Sequence, residues 1–301
     1  MNHMANSVDG ARPRVAVVGL GIMGTAIARR LLDQGFSIDA WDRNADHARP
    51  LVEQGAAVHS GVAEAVTGAE VIVTMLSTPD AVREVMINGG AIEQLRRNAI
   101  WVQMGTIGVS ATEQLARDVG SRRPDVAFVD APVSGSEAPA RNGQLEILAA
   151  GPDEVQEKLR PLFSALGQRT VWLGPAGRGS RMKLVLNVWL AFDIEAIAEV
   201  SSLAERLGFD LDTLLDTVHD SPLVSKTGLV KLAKMRARDF SAEFPLEWAL
   251  KDLDLVRAAG AGDSAPVAGS IAERWRGLVD RGLGRLDISA ARIGLAPRVD
   301  A

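Results

Sequence analysis

The chain has 301 residues, with 33 basic and 38 acidic side chains, a net charge of −5 and 47% hydrophobic content. That length allows two ordinary domains, and that balance belongs to a globular chain. The lack of cysteine excludes disulfides, thiolate metal sites and cysteine nucleophiles, and the lack of tyrosine excludes a tyrosine proton donor, including the Tyr-x-x-x-Lys pair. No basic block stands out, which argues against nucleic acid as a partner. The histidines at 3, 47, 59 and 219 are far apart and match no metal-ligand spacing, so no metal is expected. No apolar run reaches the length of a membrane span, and a reducing cytoplasm fits the composition. Residues 1–12 lack the apolar core of a signal peptide and are expected to form a flexible tail.

In chain order, "RVAVVGLGIMGTAIARRLLDQG" opens the pattern. Val15–Val18 is an apolar run suited to a buried parallel strand, and glycines follow at 19, 21 and 24. A helix with Ile27, Leu31 and Leu32 on one face is stopped by Gly35, and "FSIDAW" is the next strand, ending at Asp42. This is one βαβ unit. Helices are expected at "DHARPLVEQGA", "GVAEAVTGA", from about Ala81, at "SATEQLARDVG" and at "PDEVQEKLRPLFSALG"; strands at "AVH", "EVIVTML", "AIWVQMGT", "DVAFVDAPVSG", "QLEILAAG" and "RTVWLG". The alternation predicts a doubly wound, mostly parallel α/β domain of the Rossmann type over residues 13–176. From there the strand signal stops. An all-α domain is expected over 177–301, built on a long helix from Ser180 to Leu207 and further helices at 211–219, 224–237, 246–260, 266–282 and 287–293. A helix this long and apolar packs against something along its length, here a second subunit in a homodimer or homotetramer.

Gly19-Leu20-Gly21-Ile22-Met23-Gly24 has the form of the dinucleotide fingerprint, and the required strand, helix and later acid surround it. Gly19 allows the turn, Gly21 lets backbone approach a pyrophosphate, and Gly24 lets the helix pack on the strand. The helix N-terminus offers N–H groups to phosphate. The following Trp41-Asp42-Arg43-Asn44 bears on the choice of dinucleotide and leaves it open. Asp42 suits the ribose 2′-OH of NAD, whereas Arg43 suits the 2′-phosphate of NADP.

Three further stretches carry candidate chemistry. "DAPVSGSEAPARNGQL" follows an apolar strand, and Ser134, Gly135 and Ser136 offer a hydroxyl, backbone N–H groups and little bulk, as a carboxylate site would need and as an ordinary turn also supplies. "GRGSRMKLVLN" places Gly179, Lys183 and Asn187 on one helix face among apolar neighbours. A lysine there either snorkels to water or is held at a site. "KDLDLV", with Lys251 first, reads on its own as a solvated helix turn. Trp189, Phe192, Asp193 and the surroundings of Phe240 are candidates for a substrate pocket, with the core the more usual place for Trp189.

These pieces, in this order, resemble the β-hydroxyacid dehydrogenase family, whose members include 3-hydroxyisobutyrate dehydrogenase and the glyoxylate/succinic semialdehyde reductases. The resemblance runs from about Arg14 to Ile293 and looks closest to the semialdehyde-reductase branch. It implies an NAD(P)-dependent oxidoreductase acting on a small hydroxy acid or semialdehyde, with Lys183 as acid and base and Asn187 orienting lysine and substrate. It implies a substrate-carboxylate site at Ser134, Gly135 and Ser136. It implies cofactor contacts at Leu76, Ser77, Pro79, Thr106 and Lys251 beside the glycine turn and Asp42, Arg43 and Asn44. Ser136 and Gly105 depart from the residues frequent at their positions. Arg43 inclines the reading to NADP over NAD. Two alternatives stand beside it: reduction of an imine, and a non-catalytic dinucleotide-binding scaffold.

Overall fold

Residues 12–295 are described by a computed structural model, so all of the expected tail except Arg12 lies outside the described residues. The first apolar run is strand β1 (Val15–Val18), fully buried, and the glycine turn leads into helix α1 (Ile22–Asp33). There follow β2 (Ile38–Trp41), α2 (Ala45–Val52), β3 (Ala57–Val58), α3 (Val62–Val66), β4 (Val71–Thr74) and α4 (Pro79–Val82). Then come β5 (Ile100–Gln103), α5 (Val109–Arg122) and β6 (Ala127–Asp130). These six strands form one parallel sheet in the order β3-β2-β1-β4-β5-β6. Every residue of β1, β4 and β5 is buried, as a parallel sheet covered on both faces requires. The order reverses between β1 and β4, so the glycine turn and the loop after β4 sit at the switch point where open α/β sheets bind ligands.

The expected single strand across residues 125–135 is two strands. β6 ends at Asp130, and Ala131–Pro132 breaks the run because proline has no N–H to donate. β7 (Val133–Ser134) begins a second, three-stranded sheet with β8 (Leu145–Ala149) and β9 (Gly167–Trp172), separated by α6 (Glu137–Asn142) and α7 (Gln156–Leu166). β7 pairs antiparallel with β8, and β8 parallel with β9. An antiparallel bridge between Asp130 and Ala150 ties β8 to the end of β6.

The second half is helical as expected: α8 (Arg178–Arg206), α9 (Leu211–Val218), α10 (Lys226–Ala237), α11 (Leu246–Ala258) and α12 (Pro266–Leu278). The helix expected over 266–282 stops at Leu278 and gives way to a π turn over Val279–Leu283, in which Gly282 has φ +83°. The helix expected over 287–293 is instead a 3₁₀ run, Ile288–Leu295. Asp287 explains that start: its carboxylate accepts from the N–H groups of Ser289, Glu243 and Phe244 and from the Lys231 ammonium.

The described residues form two compact units. One runs to Gly105 and includes Thr112–Gly179; the other joins Thr106–Ala111 to the chain from Ser180 onward. The core of the first contains Val15, Val17, Ile27, Leu31, Val73, Val102, Leu162 and Phe163. It also holds a buried ion cluster: Asp39, 1% exposed, is bracketed by the Arg14 guanidinium and by His59 at 2.7 Å. Burial pushes the Asp39 carboxyl up, but its hydrogen bonds to Arg14 and His59 outweigh that and leave it below the usual value. The core of the second contains Ile194, Leu246, Leu253, Ile271 and fully buried Trp275. The Trp275 indole donates to Glu195 at 2.8 Å, and Arg274 forks onto the same carboxylate. Among the described residues no helix is long and apolar enough to cross a membrane, and no group of three or more metal-ligating side chains occurs.

The glycines of the first turn divide by cause. A Cβ at Gly24 would lie 1.8 Å from the carbonyl oxygen of Gly19, whereas one at Gly21 would meet nothing within 4 Å. Gly24→Val should therefore lower unfolding free energy by about 2 kcal/mol or more, in line with overpacking costs. Gly21→Val should leave urea denaturation unchanged within error.

Candidate active site

The glycine turn closes onto the end of β2. Gly19 sits at φ +95°, and a side chain there would overlap the carbonyl of Met75. The turn delivers the N-terminus of α1 with no side-chain cap and no acidic residue in its first turn. Its backbone N–H groups and positive dipole end are thus available to an anion. The open space at Gly21 is the second condition for close approach by a pyrophosphate. The residues present therefore fit a dinucleotide. Asp42 accepts from the N–H of Leu20 at 2.6 Å, from the N–H of Asn44 at 2.8 Å and from the His47 imidazole at 3.2 Å. Asn44 caps α2 through its side chain, and Arg43 is exposed. His47 has no counterpart in the sequence-level site. Its signal was its place in the first turn of α2, three residues after the cap.

The carboxyl ends of β4 and β5 are braced by a buried polar chain. Trp101 Nε1 donates to Thr74 Oγ1 at 2.9 Å, Thr74 donates to Gln103 Oε1 at 2.8 Å, and Gln103 Nε2 donates to the Gly105 carbonyl at 2.8 Å. This fixes the loop that carries Leu76, Ser77 and Pro79 against the loop after β5. Thr78 caps α4, with Pro79 in its first turn, as helix starts favour. Gly105 stands where the resemblance would place a serine, and the packing explains it. A Cβ there would sit 2.3 Å from the Leu76 carbonyl oxygen.

Ser134 is the last residue of β7 in the first unit, not the end of a main-sheet strand. Gly135 follows at φ +131°, where a Cβ would strike Leu145 and Pro139. Ser136 is the N-cap of α6 but its hydroxyl makes no cap bond. The turn is therefore a backbone shape that only glycine adopts easily, flanked by two partly buried hydroxyls.

The second unit gathers the charged groups. Gly179, where α8 starts, belongs to the first unit and lies against the carbonyls of Leu148 and Asp130, so any side chain is excluded. One turn on, Lys183 is partly buried and Asn187 is buried. From α11, Asp252 accepts from the Asn187 side-chain amide, and Lys251 Nζ lies 2.9 Å from Asp252 Oδ1. Lys251 also donates to the Thr106 carbonyl, which anchors the 106–111 segment in this unit. Asp252 is 2% exposed, so "KDLDLV" is not a solvated turn. Removal from water holds the Lys183 ammonium below the usual lysine value, with Lys251 adding to the effect and Asp252 opposing it. Burial raises the Asp252 carboxyl against the pull of Lys251 and Lys183. Such a cluster, with opposed shifts on neighbouring groups, suits proton transfer. Asp252 was missed because adjacent lysine and aspartate are common on helix surfaces. The usable signal was its side on α11, in step with buried Ala249, Leu253 and Val256. Trp189, expected in the core, is 71% exposed, and Asp193 accepts from the Ser225 hydroxyl.

Two family models match successive stretches of the chain. Residues 14–174 match the family described as the NAD binding domain of 6-phosphogluconate dehydrogenase. Residues 177–293 match the family described as NAD-binding of NADP-dependent 3-hydroxyisobutyrate dehydrogenase. The chain is 35% identical over 279 residues to glyoxylate/succinic semialdehyde reductase 1 of Arabidopsis thaliana, covering 92% of this chain and 96% of that protein. The solved 3-hydroxyisobutyrate dehydrogenase of Mycobacterium tuberculosis with L-serine is 26% identical, with TM-score 0.82 over 95% of this chain and 99% of that one. An imine reductase from Pseudomonas sp., 22% identical with TM-score 0.63 over 93% of this chain and 98% of its own, shares the fold.

Asp252→Asn removes the negative charge that supports the Lys183 ammonium. The Lys183 pKa should fall further, read by nitrogen NMR titration of its Nζ against wild type. An unchanged or raised value would contradict the coupling.

Proposed function

The chain belongs to the β-hydroxyacid dehydrogenase family, that of 3-hydroxyisobutyrate dehydrogenase, and from this we propose that it moves hydride reversibly between a nicotinamide dinucleotide and a small β-hydroxy acid or semialdehyde. The observation that carries the proposal is Lys183, a partly buried lysine with a lowered pKa beside Asn187 and Asp252.

When bound, the nicotinamide supplies or accepts the hydride. The chain's own residues handle the proton and the positioning. In reduction, Lys183 as ammonium donates its proton to the oxygen that becomes negative; in oxidation, neutral Lys183 takes the hydroxyl proton. A free lysine titrates at about 10.4, too high for an efficient base at neutral pH, and burial lowers Lys183 from that value. Asn187, fixed by Asp252, orients the lysine and the substrate oxygen without adding charge. Ser134, Gly135 and Ser136 take the substrate carboxylate through hydroxyl and backbone N–H groups. Gly19–Gly24 hold the pyrophosphate, with Leu76, Ser77, Pro79, Thr106 and Lys251 flanking the ribose and nicotinamide. Exposed Arg43 inclines the site to NADP, since Asp42 already serves three donors of the chain.

We also propose a homodimer formed along α8. Met182, Val185, Trp189, Phe192, Val200 and Leu203 are all exposed there, largely at spacings of three and four, as a helical stripe is. A helix of this length presents a seam of about 40 Å, enough to contribute much of a standard interface. Trp189→Glu with Leu203→Glu should convert the dimer to a folded monomer by light scattering; a double variant of wild-type mass would exclude this seam.

Lys183→Ala should cost about 100-fold or more in kcat against semialdehydes and glyoxylate, with dinucleotide affinity retained. Near-wild-type kcat would remove the assigned role. For wild type, reduction should slow, and oxidation quicken, as pH rises through the depressed Lys183 pKa, because only the ammonium donates and only the amine accepts. A substrate panel including cyclic imines separates this chemistry from C=N reduction.

A further inference from the structure

We infer that Asp287, paired with buried Lys231, is a positioning residue for the proposed proton transfer: it sets the place of α11 along its own axis and so keeps Asp252 on Asn187. The inference rests on the hydride-transfer reading, in which Asn187 orients Lys183, and deepens it.

Lys231 on α10 is 6% exposed and Asp287 is fully buried. Neither has a part in the chemistry proposed so far. A lysine this deep needs a fixed anion. Asp287 supplies it, with Lys231 Nζ 3.0 Å from each carboxylate oxygen. Glu243 also reaches Nζ at 3.1 Å, but its side chain is 42% exposed and solvent competes for it. The Asp287 carboxylate does more than balance that charge. The N–H groups of Glu243 and Phe244 donate to its Oδ2, each at 3.1 Å. The backbone on either side extends the clamp. The Asp287 N–H donates to the Phe240 carbonyl at 3.0 Å, the Leu246 N–H to the Leu286 carbonyl at 2.9 Å, and the Glu247 N–H to the Gly284 carbonyl at 2.9 Å. The first N–H groups of a helix have no partner within it. Pro245, which precedes α11, offers no capping side chain. Residues 284–287 therefore do from outside what a cap does locally.

The consequence is axial. Leu246, Leu250 and Leu253 hold α11 in the core of the second unit. Apolar burial is non-directional, so it specifies the depth of a helix better than its position along its axis. Hydrogen bonds at the helix start specify that position, because they weaken steeply with distance and angle. Asp252 lies about 9 Å from Leu246 along a stiff helix, so a displacement at the start arrives at Asp252 undiminished. There the Asn187 amide donates to Oδ2, and Lys251 Nζ lies 2.9 Å from Oδ1. A hydrogen bond tolerates a few tenths of an ångström. A misplacement of about 1 Å costs up to about 100-fold in rate, even from a change far from the chemistry. Lys231 and Asp287 thus act on Lys183 through α11, Asp252 and Asn187, all in the second unit.

The experiment compares Asp287→Asn, and Asp287→Asn combined with Lys231→Met, in the full-length protein. The combined variant removes both charges and leaves no buried ion unpaired, so it should fold even where the single variant does not. On the best substrate of the semialdehyde and glyoxylate panel, kcat should fall about tenfold with KM within about twofold. In protein isotope-labelled on asparagine, the Asn187 side-chain amide resonance should leave its hydrogen-bonded position. In an Asp252→Ala background the same changes should cost less than about twofold, because the contact they serve is already gone. A pair that only stabilises the fold would lower kcat by one factor in both backgrounds and leave the Asn187 resonance in place in folded protein. Either result overturns the inference alone. If wild type turns over no member of the panel, or Lys183→Ala matches wild type, the hydride-transfer reading falls and takes the inference with it.

Discussion

A carboxylate buried in the second unit has to be paired, and the pairing of Asp252 organises the residues on which the proposed chemistry depends. A charge removed from water costs several kcal/mol unless hydrogen bonds and opposite charges replace the solvent. Asp252 finds them in Lys251 on its own helix and in Asn187 on α8. That requirement sets α8 and α11 in register, because the amide must reach the carboxylate. Lys183 lies one turn from Asn187 and is affected by both Asp252 and Lys251. The result is two groups with opposed shifts, an amine lowered and a carboxyl raised. Lys251 also reaches the Thr106 carbonyl, so one ammonium secures two segments distant in sequence.

The same logic repeats away from the site, with structural effect. Glu195 is satisfied by Arg274 and Trp275, which joins α8 to α12. Asp287 takes Lys231 and three backbone N–H groups, which binds α10 and the segment before α11 to the final 3₁₀ run. Buried ions of this kind add little net stability over apolar packing, but removing one partner leaves the other uncompensated. They define which helices neighbour which.

In the first unit the governing constraint is steric. The contact of Gly24 with the Gly19 carbonyl makes glycine compulsory for the fold, while Gly21 is free of such contacts, and its smallness matters only to the proposed dinucleotide. The chain from Trp101 through Thr74 and Gln103 to Gly105 holds the neighbouring loops without any charge. Fold and ligand thus make separate demands on residues two or three apart.

The sequence by itself determined the alternation of β1 to β6 with helices, the start of α8 and the glycine turn, because all are local: runs of buried apolar residues, a period of 3.6, and glycines between strand and helix. It also placed Lys183 and Asn187 on one face. It did not show that Trp189 faces outward, since an exposed apolar stripe and a buried one have the same period. It read β6 and β7 as one strand, because Pro132 alone is a weak break until its partner strand is known. It left Asp252 in a solvated turn and His47 unremarked. Whether a charged residue is buried, and what it bonds to, depends on which distant backbone lies opposite. Only the tertiary structure decided that Asp252 meets Asn187, sixty-five residues away, and that Asp42 spends its oxygens on Leu20, Asn44 and His47.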